Sequence, residues 1–151
     1  KIITKALKKD GILLVGLYNK FGRLRTFLRK YLYKIFGKKY LMLFDPVLRK
    51  TDKNSIKKID AWIKDQYTHP GERSHTFDEE INNFKINNIN FYNSFPSCDF
   101  FSDENNQDTS ALFKKGNQGK KIDRILAQIS MIFNRQGDEG GLYIFLGQKK
   151  S

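Results

Sequence analysis

The chain has 151 residues, the size of one domain with one core. Eleven Gly and three Pro without a short repeat exclude collagen-like and mucin-like compositions. The longest unbroken apolar run, Ile12–Leu17, is far short of the roughly 20 residues that carry a helix across a bilayer.

A single cysteine, Cys98, forbids an internal disulfide and predicts a reducing, cytoplasmic setting. No signal-peptide pattern is visible. The chain opens on Lys1 and not Met, which predicts an upstream continuation. Charge is lopsided. Residues 1–58 hold 17 Lys/Arg against 3 Asp/Glu, a balance of +14, whereas residues 59–151 hold 11 against 13. Such a field suits an anionic partner. The Lys-over-Arg usage (21 to 7) and the Asn-rich stretch INNFKINNIN equally fit a compositional bias without one.

In chain order, residues 2–9 read as the end of a helix stopped by Asp10-Gly11. Ile12–Leu17 follows, apolar at every position, as expected of a strand buried on both faces. Leu24, Phe27, Leu28, Tyr31 and Ile35 then fall at helical spacing up to Gly37. Asp45-Pro46 breaks the chain. Ile56, Ile59 and Ile63 predict a second helix, with Ser55 as N-cap and Trp62 beside its stripe.

Tyr67–His75 has no periodicity and holds both histidines. Thr76 and Glu79 form a capping-box pattern ahead of the helical face Phe77, Ile81 and Phe84. Ile89–Phe95 alternates as a strand, stopped by Pro96. Residues 97–121 are polar and Gly-containing, a predicted flexible loop. Ile122, Ile125, Leu126, Ile129 and Ile132 or Phe133 restore helical spacing. A turn at Gly137–Gly141 leads to a last strand, Leu142–Gly147. The alternation predicts an α/β fold. A strand apolar on both faces needs neighbours on both edges, and the missing ones are expected before Lys1.

Four segments carry a resemblance. The run from Lys8-Lys9-Asp10-Gly11 through Ile12–Leu17 is similar to the fifth strand of class I S-adenosylmethionine-dependent methyltransferases. Tyr18-Asn19-Lys20-Phe21-Gly22-Arg23 resembles the "Tyr-Asn-x-x-Gly-Arg" segment of a bacterial subgroup. Asp65, Gln66, Tyr67, His69, Pro70, Glu72, His75 and Thr76 match that subgroup's "Asp-Gln-Tyr-x-His-Pro-x-Glu-x-x-His-Thr". Glu139–Lys149 resembles its closing segment, with Gln148 in place of a basic residue. Gly71 departs from the subgroup, which often has His there.

The resemblance implies the C-terminal portion of a Rossmann-like methyltransferase sheet, with a helical insertion at 20–66 and an antiparallel last strand between Ile12–Leu17 and Ile89–Phe95. The N-terminal half, which carries the S-adenosylmethionine site on a glycine-rich turn, is absent from the chain. Gly116-Asn117-Gln118-Gly119 has the wrong spacing to replace it. The expected activity is methyl transfer to an unidentified acceptor. This chain supplies the substrate side, binds no cofactor of its own and is inactive alone.

Ligands of open α/β sheets bind beyond the carboxyl ends of the strands, which places Tyr18 and Asn19 at a crevice rim, with Arg23 nearby. His69, Glu72 and His75 are the candidate catalytic groups, since an imidazole titrates near neutral pH. Asp65, Gln66 and Tyr67 are candidate orienting and substrate-binding residues. The H-x2-E-x2-H spacing also permits a metal, but a Pro-Gly loop fixes no geometry, so no metal is expected. A structural alternative has His75 packing beside the Thr76 cap. The basic face Arg23, Arg25, Arg29, Lys30 and Lys34 reads as a solvated face beside a core stripe. Alternatively, residues 20–58 form a non-enzymatic module that binds RNA or an anionic membrane surface.

Overall fold

A computed structural model describes residues 2–68, 73–101, 112–134 and 140–150. The fold is mixed α/β. Its sheet contains β1 (Ile12–Asn19), β2 (Ser74–His75), β3 (Ile89–Phe95) and β4 (Leu142–Lys149), in the order β2-β1-β4-β3. β4 runs antiparallel to both neighbours, with Leu14 opposite Leu146 and Phe95 opposite Ile144. β2 adds a short parallel pair, Tyr18 to Ser74 and Asn19 to His75. The insertion of the last strand between β1 and β3 is therefore as expected. The two-residue β2 was not foreseen, because the surrounding segment has no period.

Seven α-helices accompany the sheet among the described residues: α1 (Ile2–Ala6), α2 (Leu24–Phe36), α3 (Lys38–Phe44), α4 (Pro46–Lys50), α5 (Ile56–Ile63), α6 (Phe77–Ile86) and α7 (Lys121–Ser130). A π-helical turn, Lys64–Thr68, extends α5. The capping box forms on α6. Thr76 Oγ1 accepts from the Glu79 amide at 3.2 Å, and Glu79 Oε2 accepts from the Thr76 amide at 2.9 Å. Ser55 stands at the N-cap of α5, but its hydroxyl makes no capping bond.

Two cores result. Under the sheet, Phe77, Ile81 and Phe84 of α6 meet Tyr143 and Phe145 of β4, joined by Ile89, Cys98, Ala127 and Met131. Phe77 lies 5.0 Å from Tyr143 and 5.3 Å from Phe145 between ring centroids, so the centre is a block of tilted aromatics. The second core joins Leu41, Leu48, Ile59, Ile63 and Tyr67 within α2–α5 and the π turn.

Two expectations need correction. β1 is not buried on both faces: Leu13, Val15 and Leu17 pack on the core, while Ile12 and Leu14 are more than half exposed. Arg23 covers that second face at Tyr18, but Ile12 and Leu14 stay open, and no described strand pairs with the outer edge of residues 12–17. The apolar stripe of α2 is not a core stripe either. Leu24, Phe27, Leu28, Tyr31 and Ile35 all point outward, and Thr26 is buried in their place. Of the expected loop 97–121, residues 102–111 lie outside the described residues. Its near ends are tied to β3: the Gly116 amide donates to the Tyr92 carbonyl at 2.9 Å, and Asn93 Nδ2 to the Lys114 carbonyl at 3.0 Å.

Candidate functional site

The carboxyl end of β1 is held by a close backbone approach. The Asn19 amide donates to the Gly141 carbonyl at 2.7 Å. A Cβ on Gly22 would fall 2.5 Å from Gly141 Cα, so these two segments touch because both are glycine. Gly141 also has φ +77°, a conformation that L side chains avoid.

From this junction the candidate residues separate onto the two faces of the sheet. Neighbouring strand residues in register point the same way, so His75 shares the α6 side with Asn19, while Tyr18 shares the other side with Ser74. Asn19 does not rim a crevice. It is fully buried, its Nδ2 donates to Gln128 Oε1 at 2.9 Å, and its Oδ1 accepts from the Phe21 and Gly22 amides. Gln128 Oε1 also accepts from the Phe77 amide at 3.0 Å, which joins the end of β1 to the starts of α6 and α7. Asn19 is thus committed to holding the fold.

On the second face, Arg23 is buried, with its guanidinium carbon 4.4 Å from the centre of the Tyr18 ring. Both of its terminal nitrogens donate to Gln66 Oε1 at 3.2 Å, and Gln66 Nε2 donates to Asp65 Oδ2 at 2.8 Å. Four of the expected substrate-side residues, Tyr18, Arg23, Asp65 and Gln66, therefore form one connected group. The π turn makes this possible by carrying Gln66 and Tyr67 inward on successive positions.

Tyr67 joins a different network. Its hydroxyl donates to Asp45 Oδ2, and Arg29 Nη1 donates both to the same carboxylate oxygen at 3.2 Å and to the Tyr67 oxygen at 3.3 Å. Burial, then the bond to Asp45, pushes the Tyr67 phenol well above its ordinary pKa. Asp45 also accepts from Trp62 Nε1 and, through Oδ1, caps α4 by accepting from the Val47 and Leu48 amides. Tyr67 and Arg29 are therefore structural partners of a buried carboxylate. Asp-Pro ahead of a helix is an N-cap signal, and reading it only as a break concealed this residue.

His75 lines an open cleft of about 460 Å³ with Lys20, Arg73, Ser74, Glu79, Asn82 and Asn83. Its Nδ1 lies 3.6 Å from Glu79 Oε2. Glu79 Oε1 accepts from Lys20 Nζ at 2.5 Å, and that bond is the main reason its carboxyl is held below the ordinary carboxylate range. The group oriented against the imidazole is thus Glu79, one helical turn downstream, and Tyr18 is not at this cleft. His69 and Glu72 lie outside the described residues. Among the described residues, no group of three or more His, Cys, Asp or Glu stands together to hold a metal ion. Burial pushes the Cys98 thiol up to about 12, so it stays protonated.

No family model matches the chain, and no curated protein is similar to it at a significant level. No described helix is long and apolar enough to cross a membrane.

Proposed function

We propose that this chain is the substrate-side portion of a class I S-adenosylmethionine-dependent methyltransferase domain, working in the cytoplasm. One observation carries the reading: β4 lies antiparallel between β1 and β3, the arrangement the resemblance implies. The open edge of β1 and the uncovered Ile12 and Leu14 support it, since a further parallel strand with its helix would bury both.

The described residues do not fit the cofactor itself. Asn19 has its amide committed to Gln128, and Arg23 is enclosed, so neither offers a polar group to an adenosine or a sulfonium. The cofactor belongs to an N-terminal half of the same domain. His75, in the cleft beside β1 with its Nδ1 3.6 Å from Glu79 Oε2, is the group proposed to take the acceptor's proton. Tyr18, on the opposite face of the sheet, stands against Arg23 and is tied through it to Gln66 of the π turn, so the acceptor is assigned to the His75 side alone.

The test is the reading frame upstream of Lys1. It is expected to encode a strand, a glycine-rich turn and a helix, with an acidic residue ending the next strand. An upstream region without that pattern overturns the reading, and so does micromolar binding of S-adenosylmethionine by residues 1–151 in a calorimetric titration.

A further inference from the structure

We infer that the outward face of α2, continued onto α3, is a docking surface for an anionic lipid bilayer. The inference rests on the geometry of these helices and stands apart from the methyltransferase reading.

The face is apolar and fixed outward. Leu24, Phe27, Leu28, Tyr31 and Ile35 are 42–64% exposed and form one stripe. The helix cannot roll to hide them, because its other side is bonded in place. Arg29 reaches Asp45 and Tyr67, and the Tyr33 ring stands 6.2 Å from that of Tyr67. Beyond the stripe, the rings of Phe36, Tyr40 and Phe44 follow at 6.0 and 4.8 Å, with Phe36 and Phe44 again exposed.

The surroundings are cationic. Residues 24–44 contain six Lys/Arg and no Asp or Glu; Arg29 is spent on Asp45 and Lys38 on Asp60, and the exposed Arg25, Lys34 and Lys39 set the charge of this side. At about 100° per residue, exposed Arg25 and Lys34 fall on opposite flanks of the stripe. At the start of α3, Lys38 is paired with Asp60 at 2.6 Å, and exposed Lys39 stands beside it. Arg25 stands 5.9 Å from the exposed ring of Phe133, which widens the patch.

A bilayer surface meets both requirements. An in-plane helix buries its apolar face at the boundary of headgroups and acyl chains, while Lys and Arg on the flanks reach anionic headgroups. With 13 residues, α2 is about 20 Å long, so it lies in the surface and does not cross it. RNA fits less well, since Leu24, Leu28 and Ile35 offer nothing to phosphate or to stacking bases. A second copy would oppose two cationic faces.

The test is co-sedimentation of the 151-residue chain with two kinds of vesicle, phosphatidylglycerol mixed with phosphatidylcholine, and phosphatidylcholine alone. Binding to the first and not the second is expected, weakening as salt rises. Leu28→Ser with Ile35→Ser keeps the charge and is expected to lower partitioning at least ~10-fold, since each buried methylene contributes to insertion. The two single variants should each show part of the loss, and circular dichroism should show an unchanged fold. Lack of binding to the anionic vesicles overturns the inference. Equal binding by the double variant overturns it too, because the attraction would then be charge alone. Self-association without lipid that the double variant abolishes assigns the face to a second copy. Tight RNA binding by both wild type and double variant, with RNA displacing the vesicles, assigns it to RNA.

Discussion

On α6, Phe77, Ile81 and Phe84 repeat at helical spacing, and all three are buried under the sheet against β4. On α2, Leu24, Phe27, Leu28, Tyr31 and Ile35 repeat as regularly, and all five face outward. The two helices differ in what stands opposite them. α6 faces a wall of aromatic side chains, so burying its stripe releases the most apolar surface. α2 faces Asp45, which is buried and must be neutralised; Arg29 does this only if the polar side of the helix turns inward. A buried carboxylate thus decides which way an amphipathic helix faces.

The comparison breaks most sharply on Phe77 and Leu28. Phe77→Ala should cost ~3–5 kcal/mol in urea unfolding, the range for a buried aromatic truncation. Leu28→Ala should change stability by less than ~0.5 kcal/mol, as for a side chain outside any core. Asp45→Ala should match Phe77→Ala, at ~3–5 kcal/mol, because it leaves the Arg29 charge and the Tyr67 hydroxyl buried without their acceptor. Hydrogen exchange should place the Asp45 loss in residues 24–68 and the Phe77 loss in the sheet. An Asp45→Ala protein as stable as wild type would remove the carboxylate as the cause of the orientation of α2.

Next in size is the junction between the regions. Gly22→Ala should cost ~1–3 kcal/mol by overpacking against Gly141. In the sheet core, Tyr143 is fully buried and its hydroxyl has no hydrogen-bond partner among the described residues. Tyr143→Phe should therefore stabilise the protein, by about 1 kcal/mol, since it removes an unsatisfied group while keeping the ring against Phe77. A raised thermal midpoint checks the sign.

Local chemistry was legible in the sequence, and long-range polar pairing was not. The places of β1, β3 and β4 in the chain and the Thr76–Glu79 cap depend on residues a few positions apart. The antiparallel place of β4 was implied only by the resemblance, and the turn expected at Gly137–Gly141 lies mostly outside the described residues. The burial of Asn19 depends on Gln128, 109 positions away, and that of Arg23 on Gln66, 43 away. Neither pair leaves a periodic trace. Apolar content was also ambiguous, because it marks what must leave water but not what will cover it, as Ile12, Leu14 and the α2 stripe show. Glu79 could have been found from the sequence as more than a cap: it follows His75 at i+4, the spacing of neighbours on a helix face.

The smallest effect is electrostatic and lies at the His75 cleft. Contacts with Lys20, the Thr76 amide and His75 hold the Glu79 carboxyl below its ordinary value of 4.5. Its charged form is therefore the one the fold favours. That contribution is complete above the unfolded-state value and is lost as pH falls through the lower folded-state value. Glu79→Gln keeps an acceptor for the capping box and removes only the charge. Near neutral pH the variant should be less stable by about 0.2–1 kcal/mol, the range of exposed pairs, because the Lys20 and Glu79 side chains are 48% and 43% exposed. The gap between wild type and variant should narrow as pH drops below about 4.5 and shrink at high salt. Urea midpoints measured from pH 7 to pH 3 read it directly. A gap that stays constant with pH would mean that Glu79 acts through its shape and capping bond alone.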